Sequence, residues 1–204
     1  LTIILSGLFY FNSCKKDKNK IIINGKVFDP NSGNYLANAN VTISSSRITS
    51  GFYNSNYSDI TSAVTDENGN FTLEFDREKS AGYRFLIRKN NYFDLITDVP
   101  DADIVPGTPY TPTFELLPEA YIKLHVKNNQ PWNSSDKVVF FYNSGNISCY
   151  QCCNSVTNTG YGVSFDTTTT CKTSGNHNVI INWNVTKMST NVAYSDTIFC
   201  TAFD

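Results

Sequence analysis

The chain has 204 residues, a formal charge of −2, 40% hydrophobic and 14% aromatic residues. That size fits one large or two ordinary domains with a sizeable core, and the near-neutral charge leaves no electrostatic footprint for nucleic acid. Val, Ile, Thr, Tyr and Phe fill the periodic segments, with Asn, Ser, Gly and Asp between them, which is an all-β composition. The charges divide the chain. Residues 20–120 carry 8 basic and 13 acidic groups, a net of −5, whereas residues 121–204 carry 5 Lys and 4 Asp. Two domains are expected, at 21–118 and 119–204, with the boundary near Leu116–Tyr121.

Leu1–Phe11 is an apolar run of 11 residues. A spanning helix needs about 20, so the run reads as the hydrophobic region of a signal peptide over residues 1–13. Ser13 and Cys14 follow, then the basic stretch Lys15–Lys20. This resembles a bacterial lipoprotein signal of Bacteroidota type. Phe11 and Asn12 stand where that group favours Leu and a small residue. The resemblance implies a lipidated Cys14 as the mature terminus, a tether over 14–20, export and a place in the outer membrane. A cysteine carrying acyl chains anchors stably.

Ile21 to Phe28 alternates as a strand, with Ile23, Gly25 and Val27 on one face, and Asp29–Gly33 is a turn. Ala39, Val41 and Ile43 alternate next. Ser62 to Phe75 reads as a hairpin turning at Asn68-Gly69, with Phe71, Leu73 and Phe75 inward. Segments around Phe85 and Phe114 are further strands. Turns every 8 to 12 residues or so are a sandwich signature. Gly25, Val27, Ala39, Val41, Thr65, Asp66, Gly69 and Phe71 together resemble the carboxypeptidase regulatory-like domain. That resemblance covers about half the chain. It implies a seven-stranded prealbumin-like Greek-key sandwich and brings no active site with it, since the matched residues are turn glycines and core apolars.

Ser44–Ile60 reads as a long loop rich in Ser, Tyr, Asn and Gly, a composition shared with antibody paratopes. Phe52, Tyr53 and Tyr57 are its candidate ligand contacts, for a sugar or a protein partner. Asp94, Asp98, Asp101 and Asp103 could place oxygen ligands around Ca²⁺, but their spacing matches no EF-hand loop and a solvated acidic loop is the commoner outcome.

The second half offers five strand candidates: Tyr121–Asn128, Lys137–Asn143, Tyr161–Phe165, Asn178–Lys187 and Val192–Cys200, the last two joined by a turn at Lys187–Thr190. A second, smaller sandwich follows. Cys149, Cys152, Cys153, Cys171 and Cys200 all lie here. Export makes disulfides the default, each worth about 2–4 kcal/mol, with two cysteines of the Cys149–Cys153 cluster expected to join Cys171 and Cys200 and one thiol left over. A four-sulfur zinc site from Cys149, Cys152, Cys171 and Cys200 is the sharper alternative.

Neither His125 nor His177 sits in a zinc-peptidase motif, and there is no Gly-x-Ser-x-Gly elbow and no phosphate-binding glycine loop. Asp166–Thr168 and Asp196–Ile198 resemble the Bacteroidota O-glycosylation acceptor, although Thr is also a good strand former. The reading is a non-catalytic envelope lipoprotein without cofactor or metal, acting as a binding or accessory module for a glycan or an envelope protein. The alternatives are a purely structural spacer and a zinc-binding or enzymatic cysteine domain. An exposed aromatic cluster on one face would separate binder from spacer.

Overall fold

The computed structural model describes residues 19–49, 52–143, 149, 151–152 and 157–203, with the backbone alone for 47–49 and 52–55. The chain is all-β, two sandwiches in tandem, and no sheet draws strands from both sides of Leu117–Pro118.

The first sandwich comprises β1 (Lys20–Phe28), β2 (Asn40–Thr49), β3 (Phe52–Val64), β4 (Asn70–Asp76), β5 (Ser80–Arg88), β6 (Leu95–Pro100) and β7 (Thr113–Glu115). One sheet runs β4-β1-β7 and the other β3-β2-β5-β6. All pairs are antiparallel except β1 with β7. Period-two alternation fills the space between the sheets. Ile21, Ile23 and Val27 meet Val41, Ile43, Leu73, Phe85 and Ile87, all buried. Each large side chain so buried contributes about 1.5–3 kcal/mol of transfer free energy.

Two expectations are corrected. Ser62–Phe75 is not a hairpin, because β3 and β4 belong to different sheets and the connection between them is an arch. Buried Thr65 fixes the arch: its hydroxyl donates to the Leu36 carbonyl at 2.6 Å and accepts from the Ala39 N–H at 2.8 Å. The Asp66 carboxylate accepts from the N–H groups of Asn68 and Asn70. Gly69 lies at φ +71°, and a Cβ there would stand 2.5 Å from the Val27 carbonyl oxygen. A glycine is needed for both reasons. Likewise, Ser44–Ile60 is mostly strand and not loop. β2 and β3 run through it as one long hairpin with two register shifts, between Ile43 and Ser44 and between Ser46 and Ile48.

The second sandwich comprises β8 (Glu119–Lys127), β9 (Lys137–Asn143), β10 (Asn158–Tyr161), β11 (Asp166–Ser174), β12 (His177–Lys187) and β13 (Thr190–Cys200). Here Tyr161–Phe165 is mostly turn, and the strand lies one step on, in β11. Met188 and Ser189 both take positive φ between β12 and β13, as a two-residue hairpin turn requires. The layers are unequal: four strands, β10-β9-β12-β13, face only two, β11-β8.

Cys149 and Cys152 form a disulfide with each other, and Cys171 is also disulfide-bonded. The expected bridge to Cys200 is not made. Cys200 is a free thiol buried among Ala120, Ile122, Tyr142 and Val179, and that burial pushes its pKa up. Cys153 lies outside the described residues. With Cys149 and Cys152 oxidised, the alternative four-sulfur zinc site lacks two of its ligands.

Hydrogen bonds and rings join the two sandwiches. The Asn31 side-chain amide, on the turn after β1, donates to Ser174 Oγ at 2.9 Å and to the Gly175 carbonyl at 2.7 Å. The Gly175 N–H donates to the Pro118 carbonyl and the Phe203 N–H to that of Glu119. Tyr92 and Phe203 meet ring to ring at 5.4 Å.

Candidate functional site

The mismatch between four strands and two decides where the second sandwich is open. Near the junction, Ala120 and Ile122 of β8 pack tightly on Tyr142, Val179 and Ile181. Further along, Leu124 and Val126 are only half-buried. The inner face of the larger sheet there carries a row of rings. Phe140 of β9 is paired with Trp183 of β12, which is paired with Tyr194 of β13. Exposure rises along the row, from buried Phe140 through half-buried Trp183 to Tyr194 at 48%. The Trp183 and Tyr194 rings stack at 5.6 Å with 15° between their planes.

Two cavities flank Trp183. One, about 410 Å³, lies between β8 and β13 and is bordered by Leu124, His125, Phe140, Ile181, Asp196 and Ile198. The other, about 290 Å³, is bordered by Asn128, Gln130, Tyr161, Phe165 and Val185. Phe165 lies flat on Gly160, where a Cβ would meet its ring at 2.2 Å, so the glycine makes the floor of this cavity.

The rim is polar and fixed. Buried Asp136 accepts from the Trp132 N–H at 2.8 Å and the Asn128 amide at 2.9 Å, and these donors hold its carboxyl below the usual range. Lys187 donates to Asn128 Oδ1 at 3.0 Å. Asp166, on β11, meets His125 Nε2 at 2.7 Å and Lys127 Nζ at 3.2 Å, which lowers its pKa too. The arrangement offers aromatic faces for apolar ring surfaces, with amides, carboxylates and ammonium groups around them for hydroxyls.

Cys14 lies outside the described residues, as do the side chains of Phe52 and Tyr53. Tyr57 is described: the Arg84 guanidinium stacks 4.0 Å from its ring centre, and Arg84 forms a two-point ion pair with Asp98 at 2.6 and 2.8 Å. The acidic cluster is taken up in the same way. Asp94 pairs with Arg88 at 2.9 Å and Asp101 with Arg77, so with Asp98 three of the four acids face an arginine. The alternation of Val179, Ile181, Trp183 and Val185 marks one face of the strand candidate Asn178–Lys187 and does not reveal the cleft. The signal it lacked was the strand count of the opposing sheet.

No protein-family model matches the chain, so the carboxypeptidase regulatory-like resemblance has no such support. No curated protein matches it either. Among solved structures, a 3-chlorocatechol 1,2-dioxygenase from Rhodococcus opacus is 18% identical at a TM-score of 0.38, over 50% of this chain and 61% of that one. A streptococcal ancillary pilin is 14% identical at 0.37, over 91% and 63%. A proposed carbohydrate-binding protein from Bacteroides uniformis is 10% identical at 0.31, over 87% and 98%. The chain thus spans less than two thirds of the length of the first two. All three scores are low, and these likenesses bear on neither family nor function.

Proposed function

We propose that this is a non-catalytic binding module of the cell envelope, exported and anchored through a lipidated Cys14, that holds a glycan in the cleft of its second sandwich. The observation that supports the reading is the aromatic row Phe140, Trp183 and Tyr194, along which the cover of the smaller sheet falls away from buried Phe140 to exposed Tyr194, with fixed polar groups around it. Pyranose rings present apolar faces that stack on such aromatics, and hydroxyls that suit Asn128, Asn129, Asp196 and His125 around them. Half-buried Tyr57, with one ring face on Arg84, makes the β2–β3 hairpin a secondary contact in this reading.

The test uses the two tryptophans of the chain. In a Trp132→Phe background, emission reports Trp183 alone. Titration with soluble oligosaccharides is expected to shift that emission and to saturate. Trp183→Ala should weaken binding, followed calorimetrically, by about tenfold or more, with Tyr57→Ala changing it less. The reverse order would move the site to the hairpin. Failure of every oligosaccharide to saturate would sink the glycan reading. The hydrogen-bonded junction around Asn31 would then favour the second reading, a stiff spacer.

A further inference from the structure

The strand β13 carries an inference independent of the cleft. Ten of its eleven residues are exposed, and its only charged residue is Asp196. It pairs with β12 over eleven consecutive positions without a bulge. Sheet edges of this kind pair with other chains unless something blocks them, usually Lys, Pro, a bulge or shortness. The other edges among the described residues are blocked in those ways. β7 has three residues and β10 four. β6 ends in Pro100, and β3 is irregular in register. β4 carries Glu74 and Asp76, β8 carries Lys123 and Lys127, and β11 carries Lys172. Among the described edge strands only β13 is at once long, regular, free of Lys, Arg and Pro, and limited to a single charge in eleven residues.

We infer that β13 is the interface for a second copy of this chain, joined antiparallel about a two-fold axis through Ser195. The sequence of the strand is self-complementary in that register. Val192, Tyr194, Asp196 and Ile198 lie on the inner face, opposite Val185, Trp183, Ile181 and Val179 of β12. An axis through Ser195 sets Val192 against the partner's Ile198 and Tyr194 against the partner's Asp196. Apolar groups then meet apolar groups, and the carboxylate faces a phenol. An axis through Asp196 would oppose two carboxylates, and cross-strand like charges destabilise. An axis through Tyr194 would oppose Asp196 to Val192 and Ile198 to Thr190.

The backbone agrees. The Thr197 N–H bonds to the Asp196 carboxylate at 2.8 Å, a local bond that an amide engaged in the β12 ladder would not make. The open donors and acceptors therefore belong to the odd-numbered residues. An antiparallel ladder requires odd opposite odd, which axes through Tyr194, Ser195 and Asp196 all satisfy, and the side-chain pairing selects Ser195 among them. Joined so, the two four-stranded sheets become one of eight. The half-exposed Val192, Tyr194 and Ile198 gain apolar and aromatic neighbours, and the two clefts open on the same face.

Sedimentation of the purified full chain over a concentration series tests this. The parent should be a dimer. Thr197→Pro, which removes an outward donor and no bond to β12, should be monomeric, and so should Ala193→Lys, an exposed change that guards against misfolding of the proline variant. Ser195→Cys should form an intermolecular disulfide on mild oxidation, since its copy lies directly opposite. Thr197→Cys should not, because four residues of offset hold its copy about 13 Å away. A parent that stays monomeric at about 100 μM, a dimer untouched by both edge variants, or preferential crosslinking through Thr197→Cys overturns the proposal. Oligosaccharide titration of monomeric Thr197→Pro keeps the two readings apart: saturation per protomer tests the cleft whatever the dimer does.

Discussion

Gly25 sits opposite Phe71 in the β1–β4 ladder, and the Phe71 ring lies across it to reach Phe114 at 6.0 Å. A Cβ at Gly25 would stand 2.3 Å from Phe71 Cζ and 2.9 Å from the Pro112 carbonyl oxygen. Gly25→Ala should therefore push the ring off its site and destabilise the first sandwich by about 1–3 kcal/mol, read from urea unfolding. Asp136 makes the complementary point for the second sandwich. Its carboxyl is held below its ordinary value of 3.8 by the Trp132 N–H and the Asn128 amide. A group depressed on folding contributes stability above its unfolded pKa and loses it as pH falls through the folded one. Asp136→Asn should thus lower the melting temperature at pH 7 and leave a shallower decline below about pH 4, checked by melting curves across that range. Gly25 could be recognised in the sequence as a core-facing glycine, but not the reason for it, because the ring that needs the space is 46 residues away. Asp136 escaped notice because its donors Asn128, Trp132 and Asn133 lie in the connection between β8 and β9, which no apolar periodicity marks.

At the scale of elements, strand alternation identified most of the strands, because period two is visible wherever one face is buried. β11 escaped because Thr167–Thr170 has no apolar alternation, although the β-branched side chains suit a strand. The β2–β3 hairpin escaped because Ser, Asn and Gly favour loops locally, whereas here the sheet ladder with β5 overrides that preference. The arch at Thr65–Gly69 was misread for a related reason. Asn-Gly signals a turn, but a turn does not reveal whether the chain stays in one sheet. The arch makes a clear prediction. Thr65→Val keeps the shape of the side chain and leaves the Ala39 N–H and Leu36 carbonyl without their buried partner. It should cost about 1–3 kcal/mol in the urea midpoint at unchanged slope. The cleft was invisible at this scale too, because it arises from the mismatch between two sheets and not from any single strand.

For the whole molecule, β7 ends the first sandwich at Glu115 and β8 begins the second at Glu119, and the charge balance differs on the two sides. The junction between sandwiches leaves no local mark in the sequence. Asn31 reaches Ser174 and Gly175 across more than 140 residues, and Gly175 is so close to Ala202 that a Cβ would meet its Cα at 2.4 Å. Asn31→Ala should uncouple the sandwiches, so that one calorimetric transition separates into two while each sandwich keeps its own core.

Cys200 offers a way to watch those events one sandwich at a time. It is the free thiol among the described cysteines, sealed between the layers at the end of β13, so a reagent reaches it only when those layers part. Its labelling rate in native buffer, resolved by peptide mass spectrometry, is a clock for opening of the second sandwich alone. Occupation of the cleft should slow the clock, and so should a second copy along β13. Asn31→Ala should quicken it. Melting of the first sandwich should leave it running at the pace that the uncoupled second sandwich sets.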